Sequence, residues 1–237
     1  MSNWCKRVLD PEELHKFDRE NVVFFRKQLE QVCREFVDHP EHLEIEIRLG
    51  NKLPNASRGK AEWSILKENT STFNPNIRRA DFDQMLEYVQ SRASSSATKR
   101  KERMLWLADG TRVAGTEALC KTRLLDIEVS LPHSVYDVRV SISYEEPRDF
   151  EFYNNEANRA YNRVLSEASR ERTSVALNQD VVADFTLVRD SEEKEPKCII
   201  ELEVCGEQAG ESLDTISQEI VKNIRLARYI MDKSLKR

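Results

Sequence analysis

No C-x-x-C pair occurs in this sequence, and its cysteines, at positions 5, 33, 120, 198 and 205, are odd in number. A disulfide framework or a zinc site is disfavoured, and a reducing compartment is the better expectation. Histidine offers no alternative. His15, His39, His42 and His133 make no metal or general-base pattern and read as surface residues near element ends. The N-terminus lacks the apolar core of a secretory signal, and no apolar run approaches the ~20 residues of a membrane span. Without such a signal, the Asn55-Ala56-Ser57 and Asn69-Thr70-Ser71 triplets carry no glycosylation reading. Positive charge is not in excess: 37 Lys and Arg stand against 42 Asp and Glu, for a net charge of −5. Coating nucleic acid by bulk charge is therefore excluded, and an anionic substrate needs a local basic cluster. Gly59-Lys60 lacks the rest of a P-loop.

What is present is charge and alternation. Of the 237 residues, 39% are hydrophobic and 33% charged. That suits a single barrel-sized domain, polar for its length, whose charges face either water or a polar interior. Helical spacing appears in Val22, Phe25, Leu29, Val32, Cys33 and Phe36, closed by His39-Pro40, and again around 80–92. A third helix is expected at about 154–168 and a C-terminal one at about 212–235, while 1–18 read as loosely ordered. Loops are expected at 51–61 and at 93–102, where Lys99-Arg100-Lys101 reads as a solvated run, and the acidic stretch 190–195 as a hairpin turn. Most of the rest alternates with period two, at 43–49, 119–130, 136–145, 170–177, 181–188 and 198–205. The expectation is a mainly β (α+β) chain: an antiparallel sheet of many strands with few helices.

Two strands carry glutamates two apart, Glu44 with Glu46 and Glu201 with Glu203. Side chains at i and i+2 of a strand share a face, about 6.5–7 Å apart. On neighbouring strands these carboxylates would converge and repel, and a hard divalent cation would relieve them. Oxygen-only ligands favour Mg2+ or Mn2+ over zinc. Bases stand on the polar faces of other strands: Lys121 with Arg123, Arg139, and Arg170 with Arg172. Carboxylates for a metal plus guanidinium forks for phosphate make an inventory for phosphoryl transfer to water. Glu145, at a strand end, is a candidate to orient that water. The same alternation also describes a sheet with its charged face in water, where Glu and Arg form cross-strand pairs of small value. On residues alone both readings stand.

Glu44-Ile45-Glu46-Ile47-Arg48-Leu49-Gly50 and Ile199-Ile200-Glu201-Leu202-Glu203-Val204 resemble the first and last signature strands of the fungal and protozoan RNA triphosphatases, the metal-dependent triphosphate tunnel enzymes of mRNA capping. Tyr136-Asp137-Val138-Arg139-Val140-Ser141, and Arg170-Glu171-Arg172-Thr173-Ser174 followed by Asp184-Phe185-Thr186, resemble two further segments. The order agrees from about 40 to 206, and the compact size resembles the trypanosomatid members. The resemblance implies an eight-stranded antiparallel β-barrel, a tunnel with a hydrophilic interior and helices packed outside, formed by the whole chain as one domain. It implies that Glu44, Glu46 and Glu203 ligate the metal and that Glu201 holds it through water. Lys121, Arg139, Arg170 and Arg172 would contact phosphates, joined by Arg48, Arg103 and Arg123, with Asp184 supporting the bases. Glu145 would position the nucleophilic water, with Arg139 and Lys121 also catalytic. Two positions depart from the family pattern: Ala168 and Val182 stand where bases are expected.

The implied activity is removal of the γ-phosphate from the 5′-triphosphate end of nascent RNA, the first step of capping. Nucleoside triphosphates would be further substrates with manganese, and the nucleus the place of work. No proline-tryptophan motif for docking a guanylyltransferase is visible, and no membrane partner is expected. The alternatives are a small-molecule tunnel enzyme acting on thiamine triphosphate, tripolyphosphate or nucleotides, and a non-catalytic triphosphate-binding module. The small-molecule enzymes usually carry Glu-x-Glu-x-Lys near the N-terminus, whereas Arg48 and Gly50 follow the glutamates here and a helix precedes them.

Overall fold

The computed structural model describes residues 16–33, 42–51, 64–66, 73–93, 95–131, 133–155, 162–190, 195–204 and 212–235. The strands are β1 (Leu43–Gly50), β2 (Ser64–Leu66), β3 (Thr98–Leu107), β4 (Thr111–Ala114), β5 (Glu117–Ser130), β6 (Asp137–Pro147), β7 (Val164–Ala176), β8 (Val181–Asp190) and β9 (Lys197–Val204). The helices are α1 (Lys16–Cys33), α2 (Arg79–Arg92), α3 (Phe150–Asn154) and α4 (Leu213–Ser234).

Eight strands close on themselves in the order β5-β4-β3-β7-β8-β9-β1-β6, with β6 pairing back onto β5 and every pairing antiparallel. Closure removes the two outer edges that an open sheet would have. The ninth strand, β2, adds to the distal half of β5, with Ser64 opposite Ser130. Alternation decides which residues go where. On β1, Ile45, Ile47 and Leu49 point out of the barrel while Glu44, Glu46 and Arg48 point in. On β6, Val138, Val140 and Ile142 are outward and buried; on β9, Ile200 and Leu202.

The core therefore lies outside the barrel. These outward faces pack against Phe82, Met85 and Val89 of α2 and Ile220, Ile224 and Leu226 of α4. Phe25 and Leu29 of α1 complete it. Truncating one of these side chains costs about 2–5 kcal/mol. Ser212 caps α4 by accepting from the Thr215 amide at 3.3 Å, and Asp214 in its first turn suits the helix dipole. A smaller cluster on another part of the wall, Leu105, Leu107, Val113 and Ala118, is covered by Phe150 and Tyr153.

Helices α1, α2 and α4 stand where periodicity puts them, although His39-Pro40 and residues 1–15 lie outside the described residues and 16–18 already belong to α1. Two readings need correction. Among the described residues the third helix is Phe150–Asn154 and β7 begins at Val164, so 164–168 are strand, while 156–161 lie outside the described residues. The span 98–102 is not loop but the first half of β3, held by ladder bonds to β7. Five charged residues in a row, Lys99 to Arg103, have poor strand propensity, and pairing overrides it. The 51–61 loop lies outside the described residues except Asn51, and the acidic stretch mostly so; it joins β8 and β9, which are antiparallel neighbours.

The wall has a notch. Strand β4 spans only four residues and turns at Gly115, whose φ of 58° suits glycine, into β5. Beyond that tip, among the described residues, 98–103 of β3 pair only with β7, whereas 121–127 of β5, which run past the other end of β4, pair only with β6.

Candidate active site

The inward faces enclose a cavity of about 710 Å³ lined by Glu44, Glu46, Glu145, Arg170, Arg172 and Glu203, among others. Strand register explains the gathering. Glu46 lies directly opposite Glu203 and Arg48 opposite Glu201, because β1 and β9 are neighbours although far apart in sequence. Asp184 lies opposite Glu201 on β8.

The interior is a web of ion pairs. The Lys121 ammonium donates to Glu44 and, at 2.9 Å, to Glu46, and it lies 3.3 Å from Glu145. The Arg48 guanidinium donates to Glu201 at 2.6 Å and to Glu46 at 3.3 Å. The Arg170 Nε donates to Glu102 at 2.7 Å. Arg172 pairs with Asp184 at 2.6 Å and reaches Glu201 at 3.9 Å. Arg112 donates to Glu145 at 3.5 Å. Yet, among the described residues, Arg172 Nε and Asp184 Oδ1 of the cavity lining, and Thr186 Oγ1 and Ser143 Oγ on the inner faces of β8 and β6, are buried with no hydrogen-bond partner. Orphaned buried polar atoms in a cavity wall are what a polar ligand would satisfy.

The titration behaviour follows from this crowding. Burial and the neighbouring Glu46 push the Glu44 carboxyl up to about 8. Glu46 is buried too, but Arg48 and Lys121 overcome that and pull it down to about 2. The two titrate as a pair. Burial, with Asp184, Glu46 and Glu201 nearby, raises Glu203 to about 6. Burial acts against the Lys121 charge, and the two glutamates more than restore it. For Arg170, burial and the adjacent Arg172 favour the neutral form relative to the usual guanidinium.

Among the described residues no three His, Cys, Asp or Glu side chains are already drawn into a metal cage. The donor set nevertheless fits a hard cation. Glu44, Glu46 and Glu203 offer only carboxylate oxygens, share one wall, and repel one another. The Lys121 ammonium already sits as a cation between Glu44, Glu46 and Glu145.

Comparison with known proteins decides the family. The model of the family "mRNA capping enzyme, beta chain" matches residues 95–232, more than half of the chain. The chain belongs to this family of mRNA triphosphatases. Its activity is RNA 5′-triphosphatase in mRNA capping, and the family is metal-dependent. The S. pombe Pct1 RNA triphosphatase, solved in complex with the Spt5 CTD, superposes with a TM-score of 0.63 at 15% identity, over 86% of this chain and 92% of that one. Pct1 alone gives 0.62 at 15% identity and the same coverage. The mimivirus capping enzyme triphosphatase gives 0.46 at 14%, over 84% and 97%. The likeness to Pct1 is one of fold, the tunnel barrel. No curated protein matches the sequence.

Within this mRNA triphosphatase most of the anticipated residues face the tunnel, but not all. Arg103 does not. It alternates with Glu102, so it points out of the barrel, is exposed, and pairs with Glu167 at 2.5 Å. Arg123 contacts Glu46 at 3.7 Å and Asp126 at 3.5 Å, tying the glutamate wall to the far half of the tunnel. Arg139 lies in that half, 2.7 Å from Glu128 with its guanidinium 4.4 Å over the Phe73 ring. The two departures stay apolar on the inner face: Val182 is level with Glu203, and Ala168 with Met104.

Several charged tunnel residues were not anticipated, Arg100 among them. Glu102 and Arg112 were hidden by the loop reading of 93–102 and by the brevity of β4. Asp126 and Glu128 face inward because a register shift between Arg123 and Leu125 inserts Leu124, so simple alternation fails there. The available signal was acid residues recurring two apart after the shift.

Proposed function

We propose that Glu44, Glu46 and Glu203 hold a magnesium or manganese ion and that the cavity beside them cleaves the γ-phosphate from a 5′-triphosphate RNA end. The observation that carries the reading is Glu46 directly beside Glu203 in a cavity also lined by Arg170 and Arg172. Bound there, the metal supplies neutralisation of charge on the transferred phosphoryl group. The rest comes from the chain. Arg170 and Arg172 are aligned by Glu102 and Asp184 and present donors to phosphate oxygens. Lys121 and Arg112 flank the same space. Glu145, held by those two cations, orients the attacking water and takes its proton. Glu201 is fixed by Arg48 at the back of the metal wall. Arg48, Arg123 and Arg139, paired with Glu201, Asp126 and Glu128, line the far half and receive the remaining negative charge.

On this reading residues 1–237 form one catalytic unit working in the nucleus, where capping takes place. Free nucleoside triphosphates are secondary substrates, turned over with manganese. The test is phosphate release from γ-labelled triphosphate-ended RNA with magnesium, for wild type beside Glu46→Ala. Release by wild type alone is expected. Equal release by both would detach the glutamates from the chemistry.

A further inference from the structure

Arg100 is a cation that the triphosphate site does not account for. It stands on the inner face of β3, lines the cavity that holds Glu46 and Glu203, and is open to solvent. Across the ladder it lies directly opposite Arg172. Like charges so placed repel unless something negative lies between or beside them. Arg172 is answered by Asp184 and its neighbour Arg170 by Glu102. Among the described residues the Arg100 side chain has neither an ion pair nor a hydrogen bond, whereas adjacent Lys101 pairs with Glu171 at 2.9 Å.

The place matters as much as the charge. Arg100 belongs to the segment 98–103 that borders the notch, where β3 pairs with β7 alone. The tip of the β4–β5 hairpin, Gly115 and Thr116, lines the cavity beside it. A chain whose triphosphate end sits against the glutamates has a lateral way out here. Arg112, Lys121, Arg170 and Arg172 already serve the triphosphate. The next negative charge along an RNA is the first phosphodiester, and a free nucleotide has none.

Building on the triphosphatase reading above, we infer that Arg100 is a second anion site at the notch, which holds the first phosphodiester of the RNA and so favours RNA ends over free nucleotides. A guanidinium suits the purpose, since it can take two phosphate oxygens at once.

The test compares a triphosphate-ended dinucleotide, which has one phosphodiester, with ATP, which has none, on wild type, Arg100→Ala and Arg100→Lys. Circular dichroism checks that each variant is folded, which the exposure of Arg100 favours. For the dinucleotide, Arg100→Ala should raise KM about ten-fold with kcat kept, as loss of one charge-assisted phosphate contact implies. Arg100→Lys should recover part of this. The same variant should leave kcat/KM for ATP within about two-fold. With longer triphosphate-ended RNA, the slope of log kcat/KM against log salt should flatten by about 0.7 in Arg100→Ala. An equal loss on both substrates, or no loss on either, would overturn this assignment while leaving the triphosphatase reading in place. A wild type inactive on both would overturn that reading and this one with it.

Discussion

Glu46 and Glu203 show how much one side chain does here. Each lies in a charged wall, and Glu46 has cations on several sides while Glu203, among the described residues, has no ion pair within 4.0 Å. Changing Glu203 to Gln should reduce magnesium-dependent phosphate release by at least about 10²-fold and leave the far-ultraviolet circular dichroism unchanged, because the loss is a ligand and not a core residue. Gly50 makes a different kind of residue-scale case. A Cβ there would overlap the Phe73 ring and come within 2.9 Å of the Asn74 carbonyl oxygen. Phe73 in turn carries the Arg139 guanidinium on its face. Gly50→Ala should therefore cost about 1–3 kcal/mol in a denaturant melt, the usual penalty for overpacking, and shift Phe73 off Arg139. A melt identical to wild type would show that the ring yields freely.

At the scale of elements, the turn between β3 and β4 is the join between the barrel and α3. Asp109 accepts from the Thr111 amide at 2.9 Å and from the Tyr153 hydroxyl at 2.9 Å. Burial would push its carboxyl up, but Asn162, Thr111 and Tyr153 together bring it down to about 2. A carboxyl lowered on folding contributes stability above its ordinary value near 3.8, and that contribution is lost as pH falls through about 2. Asp109→Asn should therefore melt lower than wild type at neutral pH and show a shallower further decline between about pH 4 and 2. Parallel declines would place the acid sensitivity elsewhere. This join was illegible in the sequence, where a helix was expected at 154–168 and a loop at 93–102. Both errors have one cause: β3 opens with exposed charged residues and β7 with an exposed Val164-Leu165-Ser166-Glu167 run, neither start alternates buried with exposed, and their mutual pairing makes them strands. Strands with apolar alternate faces, β1, β6, β8 and β9, were plain from period two, since burial on one face leaves that trace.

The whole molecule inverts the usual arrangement, with charge inside the barrel and the apolar core between barrel and helices. Its closure could not be read from any single strand. What could be read was that two Glu-x-Glu strands sit far apart in sequence, and resemblance to a family then supplied the ring that joins them. Such an interior has a consequence for stability. Glu44, Glu46 and Glu203 crowd one wall, with Glu201 and Asp184 close behind. In the metal-free protein this repulsion opposes folding, so Glu203→Gln should raise the melting temperature, by about 2–4 °C for each kcal/mol relieved in a chain of this size. Magnesium should stabilise the wild type by mass action, about 2.7 kcal/mol at a hundred times its Kd, and should do little for Glu203→Gln. The same substitution thus raises stability without metal and abolishes the stabilisation by metal. Thermal melts of both proteins in chelator and in magnesium measure the two effects together. A wild type whose melting point ignores magnesium, or a Glu203→Gln variant that melts below wild type in chelator, would mean that the glutamate wall is satisfied by its own cations and is not waiting for one more.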